Sequence, residues 1–380
     1  MRELKILAVV VFFSLLTYYL VEPYAHHQMH KKVDASGNEI VINNNGFTYD
    51  GSDDIGEINR KLSDYAYESM KLKEEVLTAK KELTENKDAN KIEIQKMIDS
   101  SEKRLSAIPG NIETSKVLLE KKKAFWTEVT KVAAVKGDAQ AGEAVFANCT
   151  ACHNGANINM GGVIAPNLDH AGAIYDKSYL IALIKDPAMA SNVDHKYADT
   201  SAHPMGSIKY TVNTDTDIAN VVAYMLAHKA GEVTAKEAFS EACVRCHAMR
   251  YDKTTQLGDT PKFKYEKDAL AHKIKVIEEQ DKVKAYMGKL PPDLSMMIRA
   301  RGEHFMETFI ENPQSQMAGT SMPRVGLSAE GYEKVKAYMT AVGDPSKEKR
   351  EALGPWVLGY FVIFTILAFL WKKHQWRDLH

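Results

Sequence analysis

The sequence predicts a mainly α-helical chain of tandem build, with a helical hairpin ahead of the repeat and one transmembrane helix at each end. Three features point there. A C-x-x-C-H pattern occurs twice, at Cys149 to His153 and at Cys243 to His247. A charged stretch within residues 57–136 carries apolar side chains at alternating steps of four and three, the spacing of a helix stripe. Apolar runs occupy both ends, Ile6 to Val21 and Leu353 to Trp371.

Composition narrows the function classes. With 380 residues, 45% of them hydrophobic, and a net charge of -1, the chain has room for two or three domains. It lacks the basic bias of a nucleic-acid binder. All four cysteines fall in the two motifs, so none is left for a disulfide.

The motifs read Cys149-Thr150-Ala151-Cys152-His153 and Cys243-Val244-Arg245-Cys246-His247. This spacing lets two thiols add to the two vinyl groups on one edge of a porphyrin while the adjoining histidine lies under the iron. The expectation is two covalently attached c-type haems, with His153 and His247 as iron ligands. A zinc site or a redox-active dithiol would explain the cysteines but not a histidine directly after each second one.

The flanks repeat as well. Gly142 and Phe146 lie four positions apart ahead of the first motif, and Asp215 to His228 forms an apolar-striped helix with Tyr224 beside the stripe. Phe239 precedes Cys243, and Tyr338 lies in the closing helix Gly331 to Val342, with Ala235 rather than glycine near the crossing. The pattern resembles class I cytochrome c domains, in which the first and last helices cross through a glycine and aromatic contact.

That resemblance implies further ligands. A methionine thioether opposite the histidine suits electron transfer. Met205, in His203-Pro204-Met205-Gly206, fits the first haem, with His203 as the alternative. Met322, in Gly319-Thr320-Ser321-Met322-Pro323, fits the second, with Met317 as the alternative. In the family a proline carbonyl orients the histidine ring, and Pro166 and Pro292 match that segment, a plain loop proline being the competing reading. Met160, Met225, Met306 and Met339 read as core packing. Arg299 and Arg301 could meet haem propionates or form a solvated helix face.

The ends set the location. Arg2 and Lys5 precede the first apolar run, which can extend through Tyr24, and Lys372, Lys373 and Arg377 follow the second. The same-side charge puts short termini in the cytoplasm and everything between them outside. No small-x-small site follows the first run, which favours an uncleaved anchor over a signal peptide. His26, His27 and His30 read as a solvated cluster rather than a metal site.

Between anchor and motif, Ile58, Leu62, Tyr65, Ser69, Leu72, Val76, Ala79 and Leu83 make the heptad stripe. A break at Glu85 to Asn90 and a second helix from Lys91 to Ala107, ended by Pro109-Gly110, complete a hairpin. A third helix, Ile112 to Lys136, leads onward. A floppy charged linker is the competing reading. The expected organisation is an N-terminal anchor (1–24), a linker (25–56), the hairpin (57–136), two cytochrome c domains (137–231 and 232–345), a transmembrane helix (346–372) and a cytoplasmic tail (373–380).

Pro166 lies thirteen positions after His153, whereas a Lys-, Glu- and Asp-rich insertion separates His247 from Pro292 and contains a helix from Tyr265 to Met287. Insertions of this kind in compact domains are usually functional or disordered, and this one reads as a partner-contacting surface. Its Lys262, Lys264, Lys267, Lys273 and Lys275 precede Glu278, Glu279 and Asp281.

Tandem haem domains, a C-terminal span, Gly354-Pro355-Trp356 and the tail from Trp371 to His380 resemble the di-haem cytochrome c subunit of a bacterial cytochrome bc (quinol:cytochrome c reductase) complex. The usual subunit there has one haem and no long N-terminal hairpin. The resemblance implies a cytochrome b subunit and a Rieske iron-sulfur protein as partners, and a soluble cytochrome c or terminal oxidase as acceptor. It also implies the inner membrane as location, with the haem domains in the periplasm. The alternatives are a haem-bearing subunit of a haem-copper oxidase and a free-standing tethered shuttle.

Overall fold

A computed structural model of the chain describes residues 2–17, 19, 46–85, 91–159, 162–197, 199 and 202–377. The expected histidine cluster at His26, His27 and His30, the end of the N-terminal anchor (20–24), the linker as far as residue 45, the helix break at 86–90, Met160 and tail residues 378–380 lie outside the described residues. The described chain is mainly helical and forms two compact units, residues 1–44 with 50–127, and residues 45–49 with 128–380.

In the first unit, α1 (Arg2–Leu16) is apolar but shorter than the expected anchor. Helices α2 (Ser52–Glu85) and α3 (Lys91–Ala134) run antiparallel up to Thr127, where the unit ends. Their pairings run in opposite senses along the two helices: Asp54 with Trp126, Glu68 with Arg104, Lys80 with Glu102. Val76, Ala79 and Ile98 form a small buried cluster flanked by Leu83 and Ile94.

At the other end, Trp126 Nε1 donates to Asp54 at 2.9 Å, and buried Lys122 lies 3.7 Å from the same carboxylate. Gly51, at φ +87°, lies against the Trp126 ring, where a side chain would have no space. This is a buried charge pair satisfied by hydrogen bonding.

One expectation is corrected here. Pro109-Gly110 does not end a helix: α3 passes through Pro109 for a total of 44 residues. Proline in a helix interior costs about 3 kcal/mol or more. Ile108, Leu119 and Trp126 recur near multiples of the helical repeat, and with Ile98 all are buried. Each contributes roughly 1.5–3 kcal/mol, which together outweighs the proline.

The second unit opens with α4 (Ala139–Thr150), capped by Asp138, and crosses it with α8 (Asp215–His228), capped by Thr214. Gly142 makes the crossing possible, because a Cβ there would lie 2.0 Å from Asn220 O. Phe146 and Tyr224 pack beside it with ring centroids 5.1 Å apart. Between them run α5 (Ala171–Ile174), α6 (Lys177–Lys185) and α7 (Pro187–Ala190).

The following half repeats the arrangement. Helix α9 (Ala235–Cys243) carries a Thr234–Glu237 capping box and crosses α14 (Ala329–Gly343), with Phe239 and Tyr338 centroids 4.7 Å apart. Ala235 does not loosen that ring contact. Between them lie a short hairpin, β1 (Thr254–Thr255) and β2 (Gly258–Asp259), then α10 (Glu266–Met287), α11 (Met297–Arg301), α12 (Glu303–Glu311) and α13 (Pro313–Gln316).

Residues 46–49 belong to this unit and are packed rather than free. Phe47 N–H donates to Glu311 Oε1 at 2.7 Å and its ring stacks on Tyr332; Tyr49 OH donates to Leu327 O at 3.0 Å. Last comes α15 (Lys347–Gln375), which is long and apolar enough to cross a membrane and extends past the expected end at 372.

Candidate functional site

The two motifs fold alike because each continues a capped helix by one turn. Cys152 and His153 both donate their N–H to Cys149 O, at 3.2 and 2.9 Å; Cys246 and His247 do the same to Cys243 O, at 3.2 and 3.0 Å. One turn thus aims two sulfurs and an imidazole to the same side. His153 Nδ1–H donates to Pro166 O at 2.7 Å, and His247 Nδ1–H to Pro292 O at 2.8 Å. These bonds leave Nε2 of each ring as the bare nitrogen. Burial lowers the proton affinity of both rings, keeping them neutral and fit to bind a metal.

Burial disfavours the thiolate form of Cys149, Cys243 and Cys246. Burial pushes Cys149 up to about 11 and Cys243 up to about 12. A redox-active dithiol needs its thiolate stabilised instead. Among the described residues, no group of three or more His, Cys, Asp or Glu is arranged to hold a metal ion. The donor set fits a covalently held porphyrin better than zinc or a dithiol.

Met205 and Met322 each sit in a tight loop, half-buried, ahead of the closing helix. Met205 N–H donates to His203 Nδ1 at 3.1 Å, and burial holds His203 neutral, down to about 4. The Met322 loop is held by Gln314, which binds Thr320 O at 2.6 Å and the Gly319 N–H at 2.9 Å. Met317 is 53% exposed, whereas Met225, Met306 and Met339 are buried in the core. Arg299 and Arg301 are exposed.

The two motif-bearing halves are joined by a continuous seam. His170 lies 2.6 Å from Glu241 Oε1, and Tyr175 OH donates to Glu241 O at 3.4 Å. Tyr179 OH donates to Arg324 O at 2.7 Å, and Asp176 N–H to Gly326 O at 3.0 Å. Gly331 passes so close to Ile174 O that a Cβ would lie 2.2 Å away.

The insertion helix α10 closes the other side of the seam. Its inner face buries Val276, Glu279 and Val283. Asn159 Nδ2 donates to Glu279 Oε1 at 2.6 Å, and the Tyr197 and Tyr286 hydroxyls share a 2.5 Å hydrogen bond. Lys196 donates to Tyr286 O at 3.2 Å and lies 4.0 Å from the ring centre. Glu279 therefore belongs to this inner face, while Lys262, Lys264, Lys267, Lys273 and Lys275 are exposed.

Sequence reasoning missed Arg245, which lies between the second pair of cysteines. Its charge bears on Tyr175, Tyr179, His153 and His203 of the other half and on Cys243, Cys246 and Tyr286 of its own. Its charge within a motif otherwise occupied by Thr150, Ala151 and Val244 was the available signal.

Fold and site together define a haem-bearing, helix-crossed electron-transfer domain, and residues 139–229 match the cytochrome c family model. That domain implies a covalently attached c-type haem. Among curated proteins, the chain is similar to the cytochrome c1 of Allochromatium vinosum, at 22% identity across 37% of this chain and 82% of that protein. It is also similar to the ammonia monooxygenase gamma subunit of Nitrosomonas europaea, at 25% identity across 37% of this chain and 80% of that protein. No solved structure matches.

Proposed function

We propose that this chain is a di-haem, membrane-anchored electron carrier of a quinol:cytochrome c reductase. The observation that carries the reading is the paired His–carbonyl geometry, 2.7 Å at Pro166 and 2.8 Å at Pro292, each on the same kind of C-x-x-C-H turn. Cys149, Cys152, Cys243 and Cys246 would hold the haems through thioethers, and His153 and His247 would bind iron through Nε2. Met205 and Met322 would supply the remaining iron ligands. His203 is the poorer ligand: its Nδ1 accepts the Met205 N–H, so its proton stays on Nε2.

Bound haem supplies a reversible one-electron couple. The chain's own residues fix the iron ligands, keep them neutral and exclude water, so that little reorganises when an electron arrives. Similarity to a cytochrome c1 supports the route from a Rieske iron-sulfur protein to a soluble cytochrome c or oxidase, with a cytochrome b subunit alongside. The C-terminal α15 supports anchoring, with the haem-bearing part in the periplasm. Oxidase haem subunits usually place their span before the haems and lack a C-terminal one, so α15 makes a haem-copper oxidase the weaker reading.

Purification from the native membrane tests this. Two haems per chain, co-purifying with a cytochrome b and a Rieske protein, is the expected result. Co-purification with copper-bearing oxidase subunits, or with neither set, would overturn the reductase assignment.

A further inference from the structure

Residues 46–49, expected to belong to a linker, pack into the second unit instead. Phe47 and Tyr49 are 4% and 5% exposed. Phe47 holds φ +62°, a left-handed backbone that a bulky side chain adopts only where its surroundings enforce it. A cost of that kind marks a place where position matters.

The two residues grip the two arms of the Met322 loop. Phe47 N–H donates to Glu311 Oε1 at 2.7 Å, and Glu311 ends α12. Just after it comes Gln314, which binds Thr320 O at 2.6 Å and the Gly319 N–H at 2.9 Å. On the return arm, Tyr49 OH donates to Leu327 O at 3.0 Å. The Tyr49 ring lies 5.3 Å from that of Tyr179, whose hydroxyl donates to Arg324 O at 2.7 Å. Within the loop, Met322 N–H donates to Thr320 Oγ1 at a long 3.3 Å. The loop therefore leaves from and returns to points fixed by a segment far outside its own half of the chain. Burying two rings would need neither polar contact.

We infer that Phe47 and Tyr49 are positioning residues for Met322: by pinning both arms of its loop they hold the thioether at the iron and set how readily another ligand displaces it. The inference rests on the reading of Met322 as an iron ligand of the second haem. Loop opening is a local event whose frequency follows from the contacts that hold its ends. A thioether favours reduced iron, so a loosened Met322 gives way first in the oxidised protein, and the second haem's potential falls. The Met205 loop has its own anchorage at His203, which makes the first haem the internal reference.

The test is an imidazole titration of the oxidised full chain in detergent, read by the near-infrared thioether-to-iron band and by the potentials of both haems. Met205→Ala and Met322→Ala assign the band to each haem. In Tyr49→Phe, which keeps the ring and loses one hydrogen bond, imidazole should displace the second haem's thioether at about fivefold lower concentration. In Tyr49→Ala the drop should exceed about tenfold. Both variants should lower the second haem's potential and leave the first haem unchanged. Any other pattern, whether an unmoved second haem or an equal change at both, overturns the proposal. If Tyr49→Ala does not fold, Tyr49→Phe and Phe47→Leu decide by the same comparison. The two layers separate cleanly. A band that survives whole in Met322→Ala sinks the ligand reading and this role with it. Loss of the second haem's band there, with imidazole displacement unmoved in the Tyr49 variants, sinks only the role of Phe47 and Tyr49.

Discussion

The hydroxyl of Tyr286, on the insertion of the second motif-bearing half, is hydrogen-bonded at 2.5 Å to that of Tyr197 in the first. The insertion is therefore part of the fold on its inner face, and its exposed lysines are what remain for a partner. The two faces separate by mutation. Tyr286→Ala should lower the melting temperature and perturb the first haem's spectrum. Lys273→Glu with Lys275→Glu should leave both haem spectra intact and change association with a charged partner several-fold at low salt. Stopped-flow electron transfer across a salt series checks this, and an unchanged salt dependence would count against a docking role.

Met205→Ala and Met322→Ala should each abolish the near-infrared thioether-to-iron band of one haem while covalent attachment persists. Survival of the full band in Met322→Ala would reassign that ligand, with Met317 next in line despite its exposure.

Gly142 tolerates no side chain, since a Cβ would lie 2.0 Å from Asn220 O and 2.8 Å from Tyr224 Cβ. Gly142→Ala should cost about 2 kcal/mol or more by overpacking. In a unit of this size that lowers the melting temperature by roughly 4–8 °C. Gly56→Ala, inside α2 with open space around it, is the control and should stabilise by about 0.5–1 kcal/mol. Calorimetry of both variants reads the difference.

Glu311 is 1% exposed, with Oε1 accepting from Phe47 and Oε2 unpartnered. Burial raises its proton affinity above the usual carboxylate value of 4.5. Folding therefore favours the protonated acid, and that contribution is complete below pH 4.5 and lost as pH rises through the raised value. Glu311→Gln should thus stabilise the chain at neutral pH and match it below pH 4.5. A stability gain that does not shrink with acid would refute the linkage.

The attachment turns, the aromatic pairs and the insertion helix were readable because each rests on local spacing: a five-residue motif, a ring four positions from a helix partner, an apolar repeat. The passage of α3 through Pro109 was not, because proline's local cost was outweighed by burial of Ile98, Ile108 and Trp126, which sequence alone does not locate. Arg245 was overlooked for a different reason. It holds a variable place in the motif, and part of what its charge bears on lies about 40 to 90 positions away.

The packed segment at Phe47 and Tyr49 has a consequence for biogenesis. Tyr49 finds its carbonyl acceptor 278 residues later, at Leu327, and Phe47 its carboxylate 264 residues later, at Glu311. At translation rates of roughly 5–20 residues per second, on the order of 15 to 55 seconds pass before the second anchor point exists. Until then the chain ahead of the helical pair cannot lock down, and both C-x-x-C-H turns emerge while that clasp is still open. The clasp is thus a late folding event: a nascent chain arrested before Glu311 should leave the Phe47 amide exchanging freely with solvent, and the finished chain should protect it.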